Sequence, residues 1–221
     1  MPIGFRIGAD RPRVSKSIIE RYRVIPVANI SDSMFRMAGG GARLRPIGNP
    51  AIIGPALAVK TAPGDNLMAH KAIEMAAPGD IIVVDAGGDL TNSIIGERMV
   101  IAAHSRGVGG MVINGAIRDL ATLRTHPLPI YAAGVTHRGP YKNGPGEINY
   151  PIAIDGMVIE SGDLIVGDED GLLCIPIRDA EALLVLSEDK ARREQNTPPA
   201  VHDGAKMDAN LKRLGCEFPA G

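Results

Sequence analysis

Between residues 80 and 134 two kinds of pattern alternate, and this alternation constrains the fold more than any other feature of the chain. Ile81-Ile-Val-Val-Asp85 is a short apolar run. The turn Pro78-Gly79-Asp80 opens it and Ala86-Gly-Gly88 closes it. Bounded runs of this length read as strands. A stretch with helical spacing, about Ser93 to Ser105, comes next. Met111-Val-Ile-Asn114 reads as a second strand that breaks at Asn114-Gly115. A helix over residues 119 to 125 and a strand from Ile130 to Gly134 complete the series. Strand, helix, strand, helix, strand is the signature of an α/β fold.

The flanks add shorter elements. Residues 14 to 24 predict a helix. Asn29-Ile-Ser-Asp-Ser33 offers an N-cap for a second helix around Met34 to Met37. Ala51 to Thr61 predicts a strand, Pro63-Gly-Asp-Asn66 a turn, and Leu67 to Met75 a helix. In the last third, Ile152 to Gly156, Met157 to Glu160 and Leu164 to Gly167 read as strands joined by tight turns. Ser161-Gly-Asp-Leu-Ile-Val echoes Pro78-Gly-Asp-Ile-Ile-Val, although two Gly-Asp turns need no common origin. Asp179 to Glu194 is a good helix, stopped by Asn196-Thr-Pro-Pro199. The expected organisation is one domain over residues 1–200 with a C-terminal arm over 201–221. With 27 glycines and 17 prolines against three Phe, four Tyr and no Trp, short strands, tight turns and an aliphatic core are expected.

Several function classes are disfavoured. Lys and Arg number 24 against 25 Asp and Glu, a net charge of −1, so no basic excess points to nucleic acid or to a membrane surface. Cys174 and Cys216 fit neither a disulfide framework nor a zinc knuckle, and Cys174, in Leu-Leu-Cys-Ile-Pro, suits a small core residue. No apolar run reaches about 18 residues, which leads to the expectation of a cytoplasmic protein. The five histidines lie at no metal-ligand spacing, and His70 and His104, both within expected helices, read as structural. Gly107-Val-Gly-Gly110 precedes a strand rather than a helix, so it does not support a dinucleotide fingerprint.

Arg118-Asp119 stands just past the end of an apolar strand. An Asp at a helix start can simply cap it. Ligands of open α/β folds, however, collect beyond the carboxyl ends of strands. There an Arg can grip a carboxylate and an Asp can hold a hard cation. Glu97 lies near the start of the preceding helix, where free amides attract anions. By itself it is ordinary first-turn chemistry. Pro63-Gly-Asp-Asn66 and Tyr141-Lys142 are further candidates, although alone the first is a turn and the second a solvated lysine; the turn-rich loop Gly144 to Glu147, with few charges, suggests the rim of a site or a subunit contact.

Glu97, twenty residues, then Arg118-Asp119 resembles the acidic-x20-Arg-Asp signature of class II pyruvate aldolases of the 4-hydroxy-4-methyl-2-oxoglutarate type. These belong to the family named after the regulator of ribonuclease activity A. The resemblance runs from about Ile30 to Glu194, through PGDNLMAHKAI, PGDIIVVDAGG, VINGAIRD, GVTHRGPYK, GPGEINYPI and SGDLIVGDEDGLLCIP. It implies a swivelling-type β/β/α domain, with central β-sheets flanked by helices, in a homotrimer or a dimer of trimers with sites between subunits. It implies Mg²⁺ or Mn²⁺ held by Asp119, pyruvate held by Arg118, and Glu97 touching a metal-bound water. The amides of Glu97, Arg98 and Met99 would meet the substrate carboxylate, with Asn66 and Lys142 nearby. Glu194 of a neighbouring subunit would approach the waters of the metal. The implied activity is cleavage of a 4-hydroxy-2-oxo acid to pyruvate, accompanied by oxaloacetate decarboxylation. The alternatives are another metal-dependent 2-oxo acid lyase or isomerase, or a non-catalytic ring that regulates a partner such as a ribonuclease. The non-aldolase branch has glycine where this chain has Glu97. Arg98 departs from the pattern, because the aldolases usually carry an apolar residue there.

Overall fold

A computed structural model of the chain describes residues 2–37, 39–196 and 204–218. The first half contains β1 (Phe5–Ile7), α1 (Lys16–Tyr22), α2 (Val27–Ser33), β2 (Arg45–Pro46), β3 (Ile52–Thr61), α3 (Leu67–Met75), β4 (Ile81–Asp85), β5 (Ser93–Ile95) and α4 (Glu97–Ser105). After these come β6 (Gly110–Ile117), α5 (Leu120–Thr125), β7 (Ile130–Val135), β8 (Gly146–Ile148), β9 (Ile152–Ile154), β10 (Met157–Ile159), β11 (Leu164–Asp168), β12 (Gly171–Ile175), α6 (Ala180–Asn196) and α7 (Gly204–Arg213).

The main sheet runs β1-β8-β3-β4-β6-β7-β2. β3, β4, β6 and β7 are parallel neighbours, and α3, α4 and α5 make the crossovers between them, as parallel strands require. β3 is long enough to serve two sheets. Its second half pairs with β4 in parallel, from Ala56 opposite Ile81 to Lys60 opposite Asp85. Its first half pairs antiparallel with β11, Pro55 opposite Leu164 and Ile52 opposite Gly167, and β11 continues into β12. The transition needs a residue without a side chain. A Cβ on Gly54 would lie 2.3 Å from the Gly79 carbonyl oxygen.

Strand alternation separates three apolar clusters. Ile82 and Val84 of β4, with Met111 and Ile113 of β6, face α3, α4 and α5. Ile81, Val83 and Val112 face the other way, onto the β9–β10 hairpin and onto Ile165, Leu172 and Cys174 of the β11–β12 ribbon. The opposite face of that ribbon, Leu164, Val166, Leu173 and Ile175, packs on α1, α2 and α6. At the centre of this third cluster the buried Tyr22 hydroxyl donates to the Ala180 carbonyl at 2.8 Å, and burial raises its pKa. The chain is therefore α/β, its sheets flanked by helices as expected. Among the described residues no helix is long and apolar enough to cross a membrane.

Some local expectations are corrected. Asn29 to Ser33 does not cap a helix at Met34. It lies within α2, whose start is set by Pro26, and Phe35 and Arg36 beyond it are left-handed. Ser93 to Ile95 is a strand, because Ile94 and Ile95 are buried where β5 joins the end of β6. The helix waits for Glu97. β6 does not break at Asn114-Gly115. Buried Asn114 stays paired with Asp85 across the sheet and donates to its Oδ1 at 2.8 Å, and the irregularity is a register shift between Ile113 and Ala116. The short β1, β2 and β8, and also β12, were not expected as strands. The two Gly-Asp turns are alike: Asp80 accepts from the Ala77 amide and Asp163 from the Glu160 amide, each at 2.9 Å. Thr197 to Pro199 and the 200/201 boundary lie outside the described residues, as does the start of the arm. α7, within the arm, has no buried residue.

Candidate active site

β6 delivers Arg118-Asp119 to the carboxyl end of the parallel sheet, where Ile117 is its last residue. The Arg118 amide donates to the Ile95 carbonyl at 3.1 Å, which locks the segment against β5. Asp119 then adopts a left-handed conformation, φ 58° and ψ 37°. It occupies the N-cap position of α5, but its side chain makes no cap hydrogen bond there. Asp119 Oδ2 instead accepts from the Glu97 amide of α4 at 2.9 Å. Simple capping of its own helix is thereby excluded. An unusual backbone angle that turns a carboxylate towards a different helix is the kind of local strain that accompanies function.

Gly96 makes this approach possible. A Cβ there would sit 2.5 Å from Asp119 Oδ2 and 3.0 Å from two Arg118 side-chain atoms. Its φ of −151° is open to any residue, so the restriction is steric. Arg118 Nε lies 3.7 Å from Asp119 Oδ2, and both side chains are about two-fifths exposed. Arg118, but not Asp119, lines a cavity of about 480 Å³. Its walls are α3, β5, one side of α4 with Arg106 just beyond it, Arg118, and the segment carrying Pro140 and Lys142.

Asn66 is buried at the N-terminus of α3 and does not cap it. Its Nδ2 donates to the Ile94 carbonyl at 2.9 Å and reaches Met99 Sδ at 3.2 Å, joining α3, β5 and α4. Its Oδ1 is buried and has no partner among the described residues. The helix is served by Asp65, a residue the sequence did not single out. Asp65 Oδ1 accepts from the Leu67 amide at 2.9 Å, and Oδ2 accepts from the Asn143 and Gly144 amides at 2.6 and 3.0 Å. Asp65 thus fixes the loop that brings Lys142 to the cavity. A Gly-Asp-Asn turn before a helix was its only signal, and that signal gives no hint of a loop so distant in the chain.

The structure gathers Asn66, Arg98, Met99, Arg118 and Lys142 along one cavity, with Asp119 and Glu97 joined at its edge. The Glu97 amide is engaged by Asp119 and the Met99 amide by the Gly96 carbonyl at 3.1 Å. The Arg98 amide finds no partner among the described residues. His70, read as structural, lines the cavity instead, because it lies one turn beyond Asn66 on α3. Burial, with the charge of Lys142, holds its pKa below the usual value, so the ring is neutral at neutral pH. Glu194 is elsewhere. It accepts from Asn29 Nδ2 at 2.6 Å and pairs with Lys190 at 3.0 Å, near the end of α6. The Gly144 to Glu147 loop supplies β8, where Glu147 pairs with Arg6 at 2.6 Å.

Among the described residues no three His, Cys, Asp or Glu side chains are grouped to hold a metal. What is present fits a hard cation that keeps most of its coordination for water and ligand oxygens, as Mg²⁺ does. One carboxylate, Asp119, lies beside cavity-lining Gly96 and Arg118, in a space that any side chain at residue 96 would fill.

The family model described as aldolase/RraA matches residues 27–174. A relative from Halalkalibacterium halodurans, provisionally named 4-hydroxy-4-methyl-2-oxoglutarate aldolase, is 38% identical over 186 residues, 84% of this chain and 89% of its own. The 4-hydroxy-4-methyl-2-oxoglutarate aldolase of Thermus thermophilus is 34% identical over 112 residues, 51% of this chain and 68% of its own. The solved structure of the RNA-processing inhibitor RraA, from the same genus, superposes with a TM-score of 0.63 at 27% identity, covering 68% of this chain and 92% of that one.

Proposed function

The chain belongs to the aldolase/RraA family, and from that premise we propose that it is a lyase that releases pyruvate from a 4-hydroxy-2-oxo acid. 4-Hydroxy-4-methyl-2-oxoglutarate represents the substrate class, and oxaloacetate decarboxylation is the companion activity. The observation that carries this reading is the turn of Asp119 away from its own helix and onto the Glu97 amide, with Arg118 beside it in the cavity. A divalent cation, Mg²⁺ or Mn²⁺, would be held by Asp119 and would polarise the 2-oxo group.

In this reading Arg118 binds the 2-oxo acid end of the substrate. It faces the oxygen on which negative charge grows, and such preorganised charge is usually the largest part of catalysis. Glu97, one residue past Gly96, receives the C4 hydroxyl proton directly or through one water. The C3–C4 bond then breaks, its electron pair moves to C3, and the enolate of pyruvate forms opposite Arg118. A proton returned to C3 from water completes pyruvate, and the hydroxide left behind takes back the proton held by Glu97. Loss of CO₂ from oxaloacetate yields the same enolate, so the same residues serve both reactions. Asn66 and Met99 define the closed wall, and Lys142 faces the substrate from its loop. Glu194 does not line the cavity of its own chain, so its contribution would come from a second copy in a trimer or dimer of trimers.

The rival is a non-catalytic ring that binds a ribonuclease, a role suggested by likeness to the Thermus RNA-processing inhibitor. The acid at position 97 favours the enzyme. Pyruvate release from oxaloacetate and from 4-hydroxy-4-methyl-2-oxoglutarate, assayed with Mg²⁺ or Mn²⁺ and then with a chelator, separates the two. Chelator-sensitive turnover is expected, with a loss on the order of 10²-fold or more in Arg118→Ala. Near-normal turnover in that variant at saturating metal removes Arg118 from the assignment. Absence of turnover in the folded, metal-loaded wild type favours the ring.

A further inference from the structure

Two residues without side chains flank Arg118. A Cβ on Gly96 would lie 3.0 Å from its Cγ and Nε, and one on Gly139 would lie 3.3 Å from its Nη1. Gly139 has no positive φ, so its backbone does not call for glycine, and the restriction is again one of space. The guanidinium therefore lies against the segment 136–142, which follows β7 and ends at Lys142.

No residue from 137 to 142 is buried. A segment without apolar anchors keeps its place through hydrogen bonds, and here they recur along its length. The Thr136 amide donates to the carbonyl of Ile117, the neighbour of Arg118, at 2.9 Å. The Ser93 amide and hydroxyl both donate to the Arg138 carbonyl at 2.9 Å. Asn92 Nδ2 donates to the Gly139 carbonyl at 2.6 Å. The Tyr141 amide donates to the Gly64 carbonyl at 2.9 Å, and the Tyr141 carbonyl accepts from the Asn66 amide at 3.0 Å. Of these, the bond from Asn92 is the one at Gly139, the residue that meets the guanidinium.

We propose that Asn92 is a positioning residue of this site: through the Gly139 carbonyl it holds segment 136–142 against Arg118 and so sets where the guanidinium meets the substrate. The inference rests on the reading of Arg118 given above. Asn92 does not line the cavity and touches no reacting atom. Without its hydrogen bond Gly139 moves outward, the space around Arg118 Nη1 widens, and less of the charge of Arg118 is preorganised when the enolate forms.

The test uses the full-length, metal-loaded protein as wild type, Asn92→Ala, Asn92→Asp, Arg118→Ala and the double variant Asn92→Ala/Arg118→Ala. kcat/KM for pyruvate release should fall on the order of 10-fold in Asn92→Ala. It should fall about as far in Asn92→Asp, which keeps the size but turns an acceptor towards a carbonyl. In the Arg118→Ala background the same change at residue 92 should cost less than about 2-fold, because a residue that acts through another loses its effect with it. The melting temperature should hold, since segment 137–142 buries no side chain. Equal costs in both backgrounds would assign Asn92 to general structure, and full activity in Asn92→Asp would remove the hydrogen bond from the account; either result overturns the proposal. If the lyase reading itself fails, wild type shows no turnover. The same double-mutant comparison is then made on the affinity for oxalate, a planar dianion shaped like the pyruvate enolate, by calorimetry with Mn²⁺. There the coupling between residues 92 and 118 should persist, and its absence overturns the proposal independently of the lyase reading.

Discussion

At the scale of single residues, the site depends on one missing side chain. Gly96 has an ordinary extended backbone, so its replacement strains no turn. Its Cα instead lies so close to Arg118 and Asp119 that a methyl group would displace both. The Asp119 carboxylate cannot yield freely while it accepts from the Glu97 amide. Gly96→Ala should therefore lower kcat/KM on the order of 10²-fold, the effect of shifting reacting groups by about 1 Å. Thermal unfolding should move little, because the displaced groups are partly exposed. A variant that keeps full activity would show that the close approach of residue 96 to Asp119 does not matter. Asp119 makes a related point: its left-handed backbone is tolerable for Asp, and it redirects the carboxylate away from the capping role that its position suggests.

At the scale of elements, α6 is joined to α1 and α2 by exposed charges above the third apolar cluster. Arg21 contacts Glu188 at 2.6 Å, Lys190 contacts Asp32 at 3.0 Å, and Asn29 donates to Glu194 at 2.6 Å. Arg21 holds the Glu188 carboxyl below its usual range, and Lys190 does the same for Asp32 and Glu194. A carboxyl with a depressed folded pKa contributes stability that is fully present above its unfolded value, about 4, and is lost as the pH falls through the folded value. The part of the melting temperature that these carboxyls contribute should thus be constant above about pH 5 and decline below about 4. Since these groups are exposed, the decline they cause should be small and reduced by salt. Arg21→Ala should lessen it; an unchanged acid limb in that variant would assign acid sensitivity to other carboxyls.

At the scale of the whole molecule, stability and chemistry are separable. Three aliphatic clusters hold the sheets and helices together, and among the described residues no side-chain group is built to bind a structural metal. A chelator should therefore stop turnover and leave the far-UV circular dichroism unchanged. If Asp119 holds the cation as proposed, restoring Mn²⁺ should raise the melting temperature with the logarithm of its concentration above the Kd. Loss of secondary structure on chelation would contradict this separation. The cavity itself is a product of the assembled molecule, for α3, β5, α4, the residue after β6 and the Lys142 loop each supply one wall.

The α/β class was legible in the alternation of apolar runs and helical stretches from residue 80 to 134, because burial and backbone hydrogen bonding act over short spans. The positions of Arg118-Asp119 past a strand end and of Glu97 at a helix start were legible in local pattern, since the pair follows the end of β6 and Glu97 opens α4. What the local chain could not reveal were effects of distant neighbours. Burial against β6 made Ser93 to Ile95 a strand. Pairing with Asp85 kept Asn114 in register. Asp65 reached across to the Lys142 loop, and helical spacing turned His70 into the cavity. Local pattern fixes which residues can form an element. Only the packing of those elements decides which side chains meet, because such contacts join residues far apart in the chain and appear only once the core has closed.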